Sequence, residues 1–139
     1  NIFNYFYNIS VLFNLIYNDK TYEIAKSAAI SNTIFNSLIL FLKGEYPYFD
    51  NCSICNKTSD KLYYILKENL FMCGLCSDKF RNSGFYEINS NEAVVINNLY
   101  NLSNLKMDYK KFLNIFDELY NLSGVDNITR LFLYLIGGK

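Results

Sequence analysis

The chain has 139 residues, thirteen basic and thirteen acidic side chains, no histidine and no tryptophan, and is 51% hydrophobic and 18% aromatic with one proline and six glycines. With this profile disorder is not expected outside the ends, and the cancelled charge excludes the strong positive field by which many nucleic-acid binders gather phosphate. Without histidine the usual general base near neutral pH is missing, as is every Ser-His or Cys-His nucleophile pair, so most hydrolase mechanisms are excluded and no enzyme activity is expected.

The length is that of one ordinary domain, and one folded unit spanning residues 1–139 is expected. Residues 1–18 are strongly apolar, but Asn4, Asn8, Ser10 and Asn14 interrupt them and no basic segment precedes them. That argues against a signal peptide or a membrane span, and for a soluble, cytoplasmic protein. Ile2, Phe6, Ile9, Phe13 and Ile16 recur at spacings of four, three, four and three, which places them on one helix face, expected to be the buried one. A second long helix is expected from about Lys20 to Lys43, with Ile24, Ala28, Phe35, Leu38 and Leu42 inward. Gly44 is placed to end it in the left-handed conformation, and Tyr46-Pro47 then turns the chain.

A non-helical insertion is expected at about residues 48–82. Cys52-Ser53-Ile54-Cys55 and Cys73-Gly74-Leu75-Cys76 are two C-x-x-C pairs separated by 17 residues, within the spacing of two knuckles that close a tetrahedral site of four sulfurs. Two residues between paired cysteines let the backbone curl until both sulfurs face one point, and thiolates suit zinc, with iron as the other candidate. Four thiolates complete the coordination shell, so the metal is expected to be structural rather than catalytic. Two disulfides, four buried free thiols and a redox C-x-x-C remain open alternatives; redox pairs usually open a helix in an α/β fold, which is not expected here. Leu62–Leu66 and Leu70–Met72 read as two short strands joined through Lys67-Glu68-Asn69, a hairpin that returns the second knuckle to the first. Asn69 and Asn56, the latter at a knuckle position that often holds glycine, are both suited to positive φ.

Beyond the insertion, Asn89 followed by Glu92 resembles a capping box and opens an apolar run through Val94, Val95, Leu99 and Leu102. Asp108 is placed to cap a further helix lined by Phe112, Ile115, Phe116 and Leu119. Gly124 closes it before a last short helix from about Asn127 to Ile136. The stripe Phe112, Phe116, Leu119 and Tyr120 is expected to face the core rather than a partner. The fold class is therefore mostly α: a helical bundle domain with an inserted four-cysteine zinc knuckle and β-hairpin.

A family resemblance enters with the run Leu38–Leu42 followed by Gly44-Glu45-Tyr46-Pro47-Tyr48-Phe49-Asp50-Asn51-Cys52. It resembles the G-x-x-P-x-L-x-x-C-x-x-C passage of the bacterial recombination mediator RecO. In the same order, Ile88-Asn89-Ser90-Asn91-Glu92 resembles that family's leucine-serine helix start. Gly124–Leu133, with Ile128, Thr129, Arg130, Phe132 and Leu133, resembles its closing helix, so the likeness covers about residues 35–136. The resemblance implies a DNA-repair protein that anneals complementary strands and helps load the recombinase, with RecR and single-stranded-DNA-binding protein as partners. It also implies an OB-fold upstream of Asn1, because family members carry one before the helical domain.

OB-folds supply the aromatic platform and basic groove that track single strands, so DNA binding by this chain alone is expected to be weak. The candidate DNA contacts are Lys57, Lys61, Lys67, Lys79 and Arg81, set against Asp60, Glu68 and Asp78. A doubly negative zinc-thiolate centre offsets that small excess, and an ordinary solvated face is the plainer reading. Tyr63, Tyr64 and Phe71 have the chemistry to stack on bases, yet packing around the knuckle is the expectation. Two readings outside the resemblance stay open: a free-standing zinc-ribbon interaction module, and a thiol-redox protein with a low-pKa cysteine.

Overall fold

Helix α1 (Ile2–Asn18) has no charged residue and is apolar around much of its circumference, so a hydrogen bond rather than the hydrophobic pattern sets its rotation. Asn8 is fully buried; its Nδ2 donates to the carbonyls of Leu102 (2.7 Å) and Asn104 (2.9 Å), and its Oδ1 accepts from Tyr109 Oη (2.7 Å). A buried amide must be satisfied in this way, and doing so turns Tyr5, Ile9, Leu12 and Ile16 inward. The expected stripe therefore holds at Ile9 and Ile16, while Phe6 faces outward and Ile2 and Phe13 are half-buried. The computed structural model describes residues 2–47, 51–104 and 107–137; Tyr48, Phe49 and Asp50 of the expected insertion lie outside the described residues.

Helix α2 spans Ile24–Lys43 and starts four residues later than its pattern suggests. Asp19 Oδ1 accepts from the backbone N–H (2.9 Å) and the hydroxyl (2.6 Å) of Thr21, a local turn that competes with helix. The inward face of α2 also differs from expectation. Leu38 is buried, together with Ile30, Ile34 and Leu40, but Ile24, Ala28, Phe35 and Leu42 point outward. Small polar residues take their place. Ser37 and Tyr5 share a 2.8 Å hydrogen bond beneath the stacked rings of Tyr5 and Phe41, and Thr33 meets Thr129 of the last helix at 3.0 Å. Gly44 ends α2 at φ 70°, with the N–H groups of Gly44 and Glu45 bonded to Phe41 and Leu40. By length and composition α2 is apolar enough to cross a membrane (mean hydropathy 1.3), and half of its apolar window is buried.

Three antiparallel strands follow, β1 (Lys61–Ile65), β2 (Leu70–Met72) and β3 (Phe85–Asn89), in the order β2-β1-β3. Tyr63 pairs with Met72 and Ile65 with Leu70, and the turn between passes through Asn69 at φ 54°, so the expected hairpin is present. Strand β3 is an addition to the expected elements; it pairs along β1 from Lys61↔Asn89 to Ile65↔Phe85. Opposite residues share a face. Leu62, Tyr64, Phe71 and Ile88 form one face, buried with the helices, while Tyr63, Ile65 and Met72 form the other, beneath the second C-x-x-C.

A four-residue helix α3 (Gly74–Ser77) leaves β2, and α4 (Ser90–Tyr100) grows directly out of β3 through a full capping box, Asn89 with Glu92. Within the α4 run, Val95, Leu99 and Leu102 are buried and Val94 turns outward. Helix α5 (Tyr109–Leu122) starts where Asp108 accepts from Lys111 N at 3.0 Å and buries Phe112, Leu113, Phe116 and Leu119, with Ile115 half-buried; Gly124 follows at φ 79°. Helix α6 (Asp126–Ile136) buries Ile128, Leu131, Phe132 and Leu135 at helical spacing and packs on α2. The buried residues of helices and sheet form one contiguous cluster, so the hairpin shares the helical core. That sharing fixes the sheet, and with it the knuckles, because each fully buried large side chain contributes about 1.5–3 kcal/mol.

Candidate metal centre

Each knuckle is a short backbone curl held by its own hydrogen bonds. In the first, Asn56 N donates to Cys52 O (2.9 Å) and Cys52 N to Lys57 O (3.2 Å), a reversal that needs the left-handed conformation at Asn56 (φ 61°). In the second, Cys73 is the N-cap of α3: its backbone is extended and its Sγ accepts from Cys76 N at 3.5 Å. The second pair thus opens a helix, contrary to the sequence expectation, although that helix has only four residues. Cys73 follows β2 directly, and Ser53 N donates to Phe71 O (2.9 Å), so the hairpin delivers one knuckle against the other.

The four sulfurs of Cys52, Cys55, Cys73 and Cys76 lie within 4.8 Å of one another, with Cys55 and Cys73 at 3.8 Å. A tetrahedron of sulfurs around zinc, at about 2.3 Å per bond, has edges of about 3.8 Å. A disulfide needs about 2.05 Å, and all four cysteines are free thiols. The arrangement is positioned to hold a metal ion. Cys52 is buried, Cys73 and Cys76 are half-buried and Cys55 is exposed, so the cage has an inner and an outer side.

The thiols are electrostatically unequal. Burial pushes Cys52 up, but N–H groups of Cys55, Cys73 and Ile54 and the Cys55 thiol together outweigh it, bringing Cys52 down to about 6. Cys76 is driven up to about 12, first by its contact with Cys73, then by burial, by contacts with Cys52 and Cys55, and by the Cys52 charge. The raised Cys76 thiol holds its proton until a divalent cation displaces it. With four thiolates bound, a tetrahedral shell is full and leaves no position for water or substrate.

Comparison with family models, with curated proteins and with solved structures finds no match.

Of the cationic residues read as DNA contacts, two form ion pairs, and Arg81 does so beside the second knuckle. Arg81 donates to Gly74 O (3.2 Å), pairs with Asp78 (3.1 Å) and stacks its guanidinium on Tyr63 (4.6 Å to the ring centroid). Lys61 pairs with Glu87 across the sheet at 3.5 Å. Lys57, Lys67 and Lys79 are exposed. Tyr64 and Phe71 pack edge-to-face in the core, as expected, and Tyr63 is half-buried between Arg81 and Phe85. Sequence reasoning missed the brace that Arg81 forms over the second knuckle, because it depends on Tyr63, which only the folding of β1 against the knuckle brings under the guanidinium. It also missed that the third residue of each pair, Ile54 and Leu75, is exposed; the shared Cys-x-aliphatic-Cys pattern was the available signal.

Proposed function

We propose that Cys52, Cys55, Cys73 and Cys76 hold one structural zinc ion, and that the chain is a RecO-like domain acting in DNA repair and recombination. The observation that carries the metal reading is the convergence of four free thiols at tetrahedral spacing, donors that suit zinc best and iron next. Within that reading, zinc adds a second tie between the first knuckle, itself part of no strand or helix, and the hairpin, beyond the Ser53–Phe71 hydrogen bond.

The recombination reading is supported by the order of parts: a helix ended by Gly44, Pro47, a four-cysteine module with a hairpin, a capped helix at Asn89 and a closing helix after Gly124. On this reading the domain is a cytoplasmic scaffold that contacts RecR and single-stranded-DNA-binding protein while strands anneal. Lys57, Lys67 and Lys79 add only weak attraction to DNA. Pull-down of RecR by the chain and an annealing assay with it test the reading; no capture of RecR together with unchanged annealing contradicts it.

A second reading, a zinc-ribbon interaction module, is favoured by the knuckle tips, where Ile54 and Leu75 present aliphatic side chains to solvent beside the metal ligands. Ile54→Asp with Leu75→Asp separates the two. Loss of partner capture with metal content intact supports the module, whereas unchanged capture leaves the partner surface elsewhere on the domain.

A further inference from the structure

The four sulfurs of the candidate centre are not equally reachable from solvent. Cys52 is 1% exposed and Cys73 and Cys76 are half-buried, whereas Cys55 is exposed. The Cys55 sulfur lies 3.8 Å from that of Cys73 on the other knuckle, and all four sulfurs fall within 4.8 Å of one another. A Cys55 sulfur that has been oxidised therefore has a second thiolate within reach. The knuckles are also joined by a bond that owes nothing to sulfur: Ser53 N donates to Phe71 O (2.9 Å), two residues before Cys73, on a hairpin that shares the helical core. Bringing Cys55 and Cys73 from their present separation to bonding distance takes about 1.8 Å of sulfur movement.

We infer that the centre is a redox switch: a peroxide couples Cys55 to Cys73 as a disulfide, and the site then releases its metal. The inference rests on the zinc reading above. A thiolate ligand is held deprotonated by the ion, and the thiolate is the form that attacks an oxidant. Coordination slows all four thiolates toward electrophiles, and Cys55 is the one that an oxidant reaches first. Its sulfur attacks one oxygen of hydrogen peroxide, the O–O bond breaks and hydroxide departs, which leaves a sulfenic acid on Cys55. The Cys73 thiolate then attacks the Cys55 sulfur, the S–O bond breaks and a second hydroxide departs. The two sulfurs have lost two electrons and the peroxide has gained them. Cys52 and Cys76 remain, two donors where a structural zinc site needs four, so the ion is lost to any competing chelator.

Pairing across the knuckles has a consequence that pairing within either C-x-x-C lacks. It keeps the first knuckle tied to the hairpin after the metal has left, so reduction finds the ligands still assembled and the site can be reloaded. Ile54 precedes Cys55 and Leu75 follows Cys73 by two residues, and both are exposed, so oxidation alters the knuckle tips while the core beneath stays packed.

The zinc-loaded full chain, treated with hydrogen peroxide in small molar excess, tests the switch. Released zinc is read with a chromogenic chelator and thiol pairing by peptide mapping. Release of one equivalent of zinc is expected, with a Cys55–Cys73 crosslink as the first product and little change in circular dichroism. Dithiothreitol with added zinc is expected to reverse both. Dimedone present during oxidation is expected to label Cys55 at least about tenfold more than Cys52. A chain that binds no zinc before oxidant is added overturns the metal reading and the switch with it. Zinc bound beforehand and retained through oxidation overturns the switch alone, as does a first crosslink within either C-x-x-C pair.

Discussion

Replacing Cys73 by serine isolates the metal's contribution better than any other change at the site. Cys73 has two jobs: its sulfur is a candidate ligand 3.8 Å from Cys55, and it caps α3 by accepting from Cys76 N. Serine is among the best N-cap residues and nearly the same size, so the cap survives, and packing loss at this half-buried position stays below about 0.5 kcal/mol. What disappears is one of four thiolates. Apparent binding free energies of structural zinc run to about 10–16 kcal/mol in small peptides at neutral pH, and removing one ligand is expected to weaken binding at least a thousandfold, about 4 kcal/mol. Elemental analysis after dialysis against a chelator gives the direct reading, and thermal melts with and without chelator give the stability. The wild type is expected to lose stability when chelated, and Cys73→Ser to be insensitive. Cys73→Ala is expected to lose a further increment of about 1 kcal/mol, the value of the cap. Full metal retention by Cys73→Ser, with a melt like that of the wild type, refutes the reasoning.

Other outcomes follow from single residues. Asn56→Ala forces a Cβ-bearing residue without a polar group into φ 61° and is expected to cost about 1 kcal/mol and to lower metal affinity, whereas Asn56→Gly leaves affinity unchanged in a competition titration. Phe132→Ala empties a fully buried site beside Tyr46 and is expected to cost about 3–5 kcal/mol in chemical denaturation. Burial, then the nearby Tyr134 and Glu45, push the Tyr64 phenol up to about 12 from 10, and burial likewise raises Tyr5 and Tyr46. Because the folded values lie above the unfolded ones, this contribution to stability is complete below about pH 10 and is lost as pH rises toward 12. Alkaline unfolding should therefore coincide with a late step in tyrosinate absorbance from these buried phenols; ionisation of all thirteen tyrosines near pH 10 without unfolding contradicts the burial described.

Much of the fold was legible because local rules decided it. The capping box at Asn89 and Glu92, the N-cap at Asp108, the left-handed stops at Gly44 and Gly124 and the positive φ at Asn56 and Asn69 are all short-range effects. The two C-x-x-C pairs were equally legible, since their spacing alone constrains where sulfurs can meet. Helix orientation was not legible. In α1 the buried amide of Asn8 overrides an apolar stripe, and in α2 the inward side is occupied by Ser27, Ser31, Thr33, Asn36 and Ser37 while Ile24 and Phe35 face out. Hydrophobic periodicity reports an apolar face without saying what that face meets. The strand Phe85–Asn89 was hidden because its last residue doubles as a helix cap, so the capping signal masks the alternation before it.

Whether four sulfurs share one cation is tested most directly by cobalt substitution. Titration of the reduced chain with Co(II) is predicted to saturate at one equivalent, with the visible bands of a tetrahedral site and strong sulfur-to-metal charge transfer, and zinc is predicted to displace it while shielding all four thiols from alkylation. Octahedral spectra, saturation at another stoichiometry, or thiols that alkylate equally fast with and without metal would contradict it.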